Sequence, residues 1–257
     1  IITEVHLRLS PIPESIMSAV CHFPSLEDAV MTAQQVIQYG IPIARIEMLN
    51  ADQMGISINY SKLKDIKAVP TLFFEFHGSE ISNNENIKIV EDISKDNNGS
   101  SFKWAKDLEE RNKIWKARWD VYYSVKALHN NGRVYSTDVC VPISNITECV
   151  KFAEEQAKKF GVRAPMVGHM GDGNFHVVLP YDPAKKEMYK QIRAFNDTLI
   201  RKALELNGTI TGEHGVGLHK KEYLLEQHPD NIPVMKSIKR TLDPNNIMNP
   251  GKIFDLN

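Results

Sequence analysis

One short stretch, residues 167–179, constrains the fold of this chain more than any other. Two apolar runs flank the pair Asp172-Gly173, and an Asp-Gly pair in that setting is a strong signal for a β-hairpin. A type I′ turn centred on this pair would place His169 directly opposite His176, on the same face of the sheet. The stretch therefore predicts a hairpin that carries two imidazoles within reach of one metal ion.

A third candidate ligand lies in the segment 208–217, where glycines flank Glu213 and His214. The segment predicts a short strand over 209–213, followed by a turn with room for a ligand beside the backbone. Two histidines and one carboxylate form a three-ligand site with open positions, which is typical of metal centres that handle substrate. His214 could serve as a base, because its ordinary pKa lies near neutrality. Each motif alone has an ordinary alternative, a surface hairpin or a polar turn.

The composition is that of an ordinary globular chain, with 257 residues, 42% of them hydrophobic and 25% charged. The net charge of −1 gives no electrostatic footprint for nucleic acid or for an anionic membrane. No apolar run approaches the roughly 20 residues that cross a bilayer, so we expect neither a nucleic-acid partner nor a transmembrane segment. The cysteines, Cys21, Cys140 and Cys149, are widely spaced and are expected to be buried thiols in a reducing compartment.

The hydrophobic periodicity predicts an α+β fold with an antiparallel sheet and flanking helices. Between residues 134 and 213 the order is β-α-β-β-α-β, the ferredoxin-like split unit. Residues 17–105 could form a degenerate first copy in the same order, although no repeat in the sequence proves it. One long helix is predicted over 105–129, and a mostly helical C-terminal segment over 220–242.

Together with six further segments, the two motifs resemble the C-terminal part of the flavin-linked D-2-hydroxy-acid dehydrogenases, flavoproteins of the vanillyl-alcohol oxidase type. The segments are residues 2–9, 44–47, 74–78, 135–144, 243–244 and 248–252. They follow one another in the family's order through nearly the whole chain, which makes the resemblance specific. Within the family, they are most similar to the mitochondrial members that oxidise D-lactate.

The resemblance implies three parts of the chain. Residues 1–10, whose apolar residues alternate like a strand that needs a neighbouring sheet, would be the last strand of a FAD-binding domain. Residues 11–219 would form the substrate- and metal-binding domain, and residues 220–257 a helical segment that returns to the flavin. The chain does not begin with Met, and we expect it to be a fragment that is inactive without the FAD-binding domain.

The resemblance also implies roles for individual residues. Arg118 would hold the substrate carboxylate, a task that suits a planar guanidinium, and Asn249 would contact the FAD. A solvated helix face and a plain C-terminal turn are the ordinary alternatives for these two positions. The remaining site residues come from the two motifs, with His214 as the base and a divalent metal bound by His169, His176 and Glu213. Zn²⁺ and Mn²⁺ both fit two imidazoles and a carboxylate.

The implied reaction is oxidation of D-lactate, or a similar D-2-hydroxy acid, to the 2-oxo acid with hydride transfer to FAD. The expected electron acceptor is cytochrome c, a quinone or an electron-transfer flavoprotein. The expected location is the mitochondrion, or the cytoplasm if the source is bacterial. Alternatives within the family are a D-2-hydroxyglutarate dehydrogenase and a glycolate oxidase subunit. Outside it, the same residues could serve a metal-dependent hydrolase or a non-catalytic, metal-stabilised interaction domain.

Three positions bear on the choice of substrate. By the resemblance, the 2-hydroxyglutarate branch places a threonine, a lysine and an asparagine around a second carboxylate, where this chain has Tyr122, Ser136 and Val178. A second carboxylate buried there without a cation would be costly, so a short alkyl substituent is favoured. His219, at a position where relatives usually have glycine, could supply some positive charge.

Overall fold

The computed structural model describes residues 2–63, 66–129 and 132–256. The strands are β1 (Ser15–His22), β2 (Arg45–Leu49), β3 (Thr71–Gly78), β4 (Ser100–Ala105), β5 (Arg133–Ser136), β6 (Val139–Cys140), β7 (Met166–His169) and β8 (Asn174–Tyr181). The α-helices are α1 (Leu26–Gln38), α2 (Ala51–Ser61), α3 (Glu80–Asp96), α4 (Leu108–Trp119), α5 (Val121–Lys126), α6 (Ile146–Phe160), α7 (Lys186–Glu205), α8 (Lys221–Gln227) and α9 (Ile232–Leu242). The predicted α+β class is confirmed.

One antiparallel sheet runs through the molecule in the order β4-β1-β3-β2-β7-β8-β5, with β6 also paired to β8. The first half follows the order β1-α1-β2-β3-α3-β4, with α2 inserted between β2 and β3, and this matches the predicted first copy. The two halves join where β2 pairs with β7, in a register that sets Glu47 opposite His169. Residues from both halves therefore meet at the middle of the sheet.

Helices cover both faces of the sheet. Helices α1, α3, α6 and α7 pack on one face over the larger apolar core, and α2, α4 and α5 lie on the other face over a smaller one. Leu49, Val167 and Val178 belong to the smaller core. Because alternate residues of a strand share a face, Glu47, which is two positions from Leu49, lies on that same face. The same alternation places both candidate histidines there.

Trp115 fixes helix α4 to this second face. Its indole is buried, its ring centroid lies 5.9 Å from that of Phe73, and its Nε1–H donates to Ser18 Oγ over 2.9 Å. Arg118 follows one helical turn later, so its side chain emerges on the same side of the helix. The buried indole thus sets the position of the arginine over the sheet.

The predicted helix over 105–129 is wrong, because Asp120 interrupts it. Ala105 belongs to β4, and the helical region is divided into α4 and α5. The Asp120 carboxylate binds the Ser61 hydroxyl of α2 and Lys116 of α4. The backbone of Asp120, at φ −82° and ψ 2°, is the point at which the helical path changes.

The predicted strand over 209–213 is reduced to a single bridge between Thr209 and Cys140. The N–H of Ile210 donates to Gln227 Oε1, and the N–H groups of residues 212–214 donate to the carboxylate of Asp138 instead of to a neighbouring strand. Residues 2–10 also form no strand in this structure, where they are exposed and have no partner strand. Their assignment to a preceding domain stays a prediction.

The remaining expectations concern the C-terminal segment and the cysteines. The segment is helical, as α8 and α9, with Pro229 in the break and Pro233 inside the first turn of α9. All three cysteines are free; Cys140 is only partly buried, and burial raises the pKa of Cys149 to about 12. Among the described residues, none of the helices combines the length and apolarity that crossing a membrane requires.

Candidate metal centre

The hairpin that carries the two histidines has a different register from the predicted one. A four-residue loop over 170–173 joins β7 to β8, and His169 pairs with Asn174 instead of with His176. A type I′ turn needs positive φ at both central residues, whereas Gly173 alone has it within this loop, at 74°. The shift equals two residues, so both histidines keep the same face. Their ring centroids lie 5.7 Å apart.

Glu213 brings the two histidines to a common point. Its Oε1 lies 2.9 Å from His176 Nε2 and 3.5 Å from His169 Nε2. One ligand atom from each of the three residues lies within 4.8 Å of the others. The three predicted ligands therefore converge, although they come from β7, from β8 and from the loop after Thr209.

The outer nitrogen of each histidine is also engaged. Glu47 Oε1 lies 2.7 Å from His169 Nδ1, and the backbone oxygen of Thr137 lies 2.8 Å from His176 Nδ1. In protein metal sites, a ligating histidine almost always donates its second ring N–H to a carboxylate or a carbonyl. These contacts favour the tautomer that carries its proton on Nδ1, so each Nε2 is left with a lone pair for a metal ion.

The surroundings shift the pKa values of the two histidines in opposite directions. The hydrogen bond with Glu47 raises the pKa of His169, whereas burial lowers the pKa of His176. Burial acts against ionisation of Glu47, but its hydrogen bond with His169 and the charge of Arg118 outweigh this and lower the pKa of Glu47. Since a metal binds neutral imidazole, protons compete with it more strongly at His169 than at His176.

Arg118 is connected to this cluster through Glu47. The second oxygen of Glu47, Oε2, accepts a hydrogen bond of 2.8 Å from Arg118 Nε. In the part of the chain that the structure describes, this is the one hydrogen bond of the Arg118 side chain, so its two Nη groups remain available to an anion. Glu47 is not among the site residues that the sequence predicts. The sequence did contain an indication of its importance, because Glu47 is a charged residue between the apolar Ile46 and Met48 in a buried strand.

His214 lies beside the ligands. Its ring stacks on that of His176, with centroids 4.8 Å apart and planes 16° from parallel, and its side chain is half-exposed. Its backbone N–H donates to Asp138 Oδ2 over 3.0 Å. Asp138, His176 and His214 form a second cluster with metal-ligand spacing. However, the Asp138 carboxylate already accepts hydrogen bonds on both oxygens, so it is the poorer ligand.

The structure does not bring Asn249 to the cluster. Asn249 lies in the C-terminal turn, at φ 48°, and lines an apolar cleft of about 870 Å³ beside α9. Val178 is buried in the smaller core and pairs with Ser136, whereas Tyr122 is half-exposed and packs edge-on against Tyr123. The flavin contact of Asn249 stays a prediction.

Comparisons with known proteins agree with the fold and the motifs. The probable mitochondrial D-lactate dehydrogenase of Danio rerio is 44% identical over the whole chain, which covers 52% of that protein. The mitochondrial D-lactate dehydrogenase [cytochrome] of Arabidopsis thaliana is 38% identical over 99% of the chain, which covers 45% of it. Glycolate oxidase subunit GlcD of Bacillus subtilis is 30% identical over 99% of the chain and is 54% covered. The chain thus spans about half the length of these curated relatives.

Solved structures share the fold. The chain superposes on p-cresol methylhydroxylase with substrate bound at a TM-score of 0.70 and 16% identity, over 96% of this chain and 54% of that one. For the isoeugenol complex of 4-ethylphenol oxidase from Gulosibacter chungangensis, the TM-score is 0.72 at 16% identity, over 97% and 56% of the two chains. The model of the FAD linked oxidases, C-terminal domain, matches residues 12–253. This chain therefore belongs to the family of C-terminal domains of FAD-linked oxidases.

Proposed function

We propose that this chain is the substrate- and metal-binding part of a FAD-dependent dehydrogenase that oxidises D-lactate or a similarly short D-2-hydroxy acid. The observation that carries the metal site is the orientation of two imidazoles. Both Nε2 atoms face Glu213, while both Nδ1 atoms are engaged behind them. The substrate class is supported by relatives named as D-lactate dehydrogenases and as a glycolate oxidase subunit. Because two of these are named as mitochondrial, we also propose that location.

The donor set fits a divalent ion such as Zn²⁺ or Mn²⁺, held by His169, His176 and Glu213. Such an ion would lower the pKa of a bound hydroxyl group, and FAD would accept the hydride from Cα. Arg118 binds the substrate carboxylate through its two Nη groups while its Nε–H stays on Glu47. His214 takes the hydroxyl proton at Nε2, the ring nitrogen that lies 3.7 Å from Glu213 Oε1.

The proposal predicts a flavin spectrum that responds to substrate. A protein in which this chain is joined to a FAD-binding domain of the family is expected to bind FAD and to lose its oxidised-flavin absorbance when D-lactate is added without oxygen. L-lactate is the control and is expected to leave the spectrum unchanged. The 257-residue chain alone is expected to be colourless and inactive. Turnover of D-lactate by the chain alone, or metal-dependent hydrolysis without any flavin response, would contradict the proposal.

A second prediction concerns the length of the substrate. D-lactate is expected to exceed D-2-hydroxyglutarate in kcat/KM by at least about a hundredfold, which is about 3 kcal/mol. The reason is that Tyr122, Ser136 and Val178 offer no cation to a second carboxylate, and an unpaired buried carboxylate is costly. Steady-state kinetics with both acids measure the ratio. The same ratio in a His219→Gly variant tests whether this exposed histidine helps to bind the second carboxylate of D-2-hydroxyglutarate. Comparable efficiencies with the two acids in both proteins would overturn the prediction.

A further inference from the structure

Asp138 is the most heavily bonded side chain near the candidate metal centre. It lies between β5 and β6, and its side chain is completely buried. The six groups that donate to its two oxygens are the backbone N–H groups of Gly212, Glu213 and His214, the Thr211 hydroxyl, Asn174 Nδ2 and Lys220 Nζ, at 2.6–3.4 Å. Neither the hairpin motif nor the segment that carries Glu213 pointed to this residue.

The loop over 211–214 depends on this carboxylate for its position. The side chains of Glu213 and His214 are about half-exposed, so burial does not fix them. The three successive backbone N–H groups of the loop have no bond to another described residue besides Asp138. A row of successive N–H groups around one anion is a common anion-binding arrangement in proteins, and here the anion is supplied by the chain itself.

Gly212 lies where the loop packs closely against Asn174 and Asp138. A Cβ atom at this position would lie 1.7 Å from Asn174 Nδ2 and 3.1 Å from Asp138 Oδ1. Any side chain would therefore force the loop or the Asn174 amide to move, and Asn174 is the residue that pairs with His169 across the hairpin. The glycine before Glu213 is thus required by the approach of the loop to Asp138 and the hairpin.

The charge of Asp138 is maintained in spite of its burial. Burial alone would raise its pKa, but the hydrogen bonds from Thr211, from the His214 N–H, from Lys220 and from Asn174 hold the pKa well below its usual range. All six contacts are from donors, so the residue at position 138 must accept on both oxygens. An asparagine would present an amino group to some of these donors, and a donor facing a donor forms no bond.

We propose that Asp138 is a positioning residue that holds Glu213 and His214 in place before a metal ion binds. The inference rests on the proposed metal site. By fixing the backbone of the loop through three consecutive N–H groups, Asp138 keeps the Glu213 carboxylate in front of the two imidazoles. The metal ion then binds to a third ligand that is already in place, and its binding does not have to order an exposed loop.

The test compares Zn²⁺ binding by the 257-residue chain and its Asp138→Asn variant, measured by titration calorimetry with Zn²⁺ alone. The affinity is expected to fall about 10- to 100-fold, the usual cost of removing a group that orients a metal ligand. Amide hydrogen exchange at residues 212–214 in the metal-free chain gives a second readout. We expect protection in the wild type and at least about tenfold faster exchange in the variant.

Two controls separate positioning from general stability. Asn83→Ala removes another buried polar side chain, one that donates from Nδ2 to the backbone carbonyl of Ser15, and it is expected to lower Tm without changing Zn²⁺ affinity. Asp172→Asn makes the same chemical change in the exposed part of the hairpin loop and is expected to change neither. An equal loss of affinity in Asn83→Ala would assign the effect to stability and would overturn the proposal.

The outcomes also separate this inference from the proposed function. If the wild type binds no Zn²⁺ yet its loop amides are protected, the metal site fails, whereas the positioning of the loop is supported. If the wild type binds Zn²⁺ and Asp138→Asn binds it equally well, the positioning role fails and the metal site stands. If the variant does not fold, unprotected amides at 212–214 in the wild type would overturn the proposal, and protected amides would support it.

Discussion

A His169→Ala variant is expected to lose stoichiometric metal binding and at least about a thousandfold of kcat/KM, which corresponds to about 4 kcal/mol. The substitution leaves two ligands, and a catalytic ion is seldom held by fewer than three protein groups. It also removes the partner of Glu47 Oε1, so a buried carboxylate loses one of its two contacts. Elemental analysis of the purified protein measures the metal, and steady-state kinetics of the flavin-containing protein measure the activity.

The matched control for this variant is His6→Ala. His6 is exposed and its ring contacts Glu4, which has no part in the cluster, so its loss should leave the metal content and the turnover unchanged. Metal retained at one ion per chain in His169→Ala would show that this histidine is not a ligand. Metal lost equally in both variants would indicate non-specific binding to surface imidazoles.

An Arg118→Lys variant is expected to lower kcat/KM by at least about a hundredfold, or about 3 kcal/mol, while the metal stays bound. Lysine keeps the charge but lacks the planar fork, so it cannot donate to Glu47 and hold a carboxylate with two parallel bonds at once. Kinetics with D-lactate and metal analysis of the same preparation measure the two effects separately.

Arg163→Lys is the control for this substitution. Arg163 also binds a carboxylate through Nε and Nη2, that of Asp52, but this pair lies at the surface away from the cluster. We expect its replacement to leave the kinetics unchanged. An Arg118→Lys protein as efficient as the wild type would remove Arg118 from the substrate site, and an equal loss in Arg163→Lys would attribute the effect to stability.

Local patterns in the sequence were sufficient for the hairpin and for the face that its histidines share. They were not sufficient for the register. The N–H of Met170 donates to the carbonyl of Ile46 in β2, so the chain stays attached to its neighbouring strand beyond His169. That bond joins residues more than a hundred positions apart, so the sequence of the hairpin alone does not predict it. Because strand faces alternate with a period of two, the two-residue shift left the metal prediction intact.

A bond between residues distant in sequence also explains the strand that was predicted wrongly after Thr209. There the side chain of Asp138 accepts from backbone N–H groups that strand formation would otherwise use. The helix predicted over 105–129 is divided at Asp120, whose side chain contacts Ser61 of α2. Periodicity reports which residues are apolar, and it does not report such competition for hydrogen bonds.

The pairing of β2 with β7 has a consequence for how this protein reaches its native state. The contact between Glu47 and His169 spans 122 positions, that between Glu47 and Arg118 spans 71, and that between His176 and Glu213 spans 37. Contacts of such long sequence separation close late, because the loop entropy must be lost before they form. All three ligands lie in the second half of the chain, whereas Glu47, which contacts His169 Nδ1, lies in the first half. A chain folded only in its second half would therefore have the three ligands but lack the carboxylate that orients His169, so the oriented site is completed only after the two halves have docked.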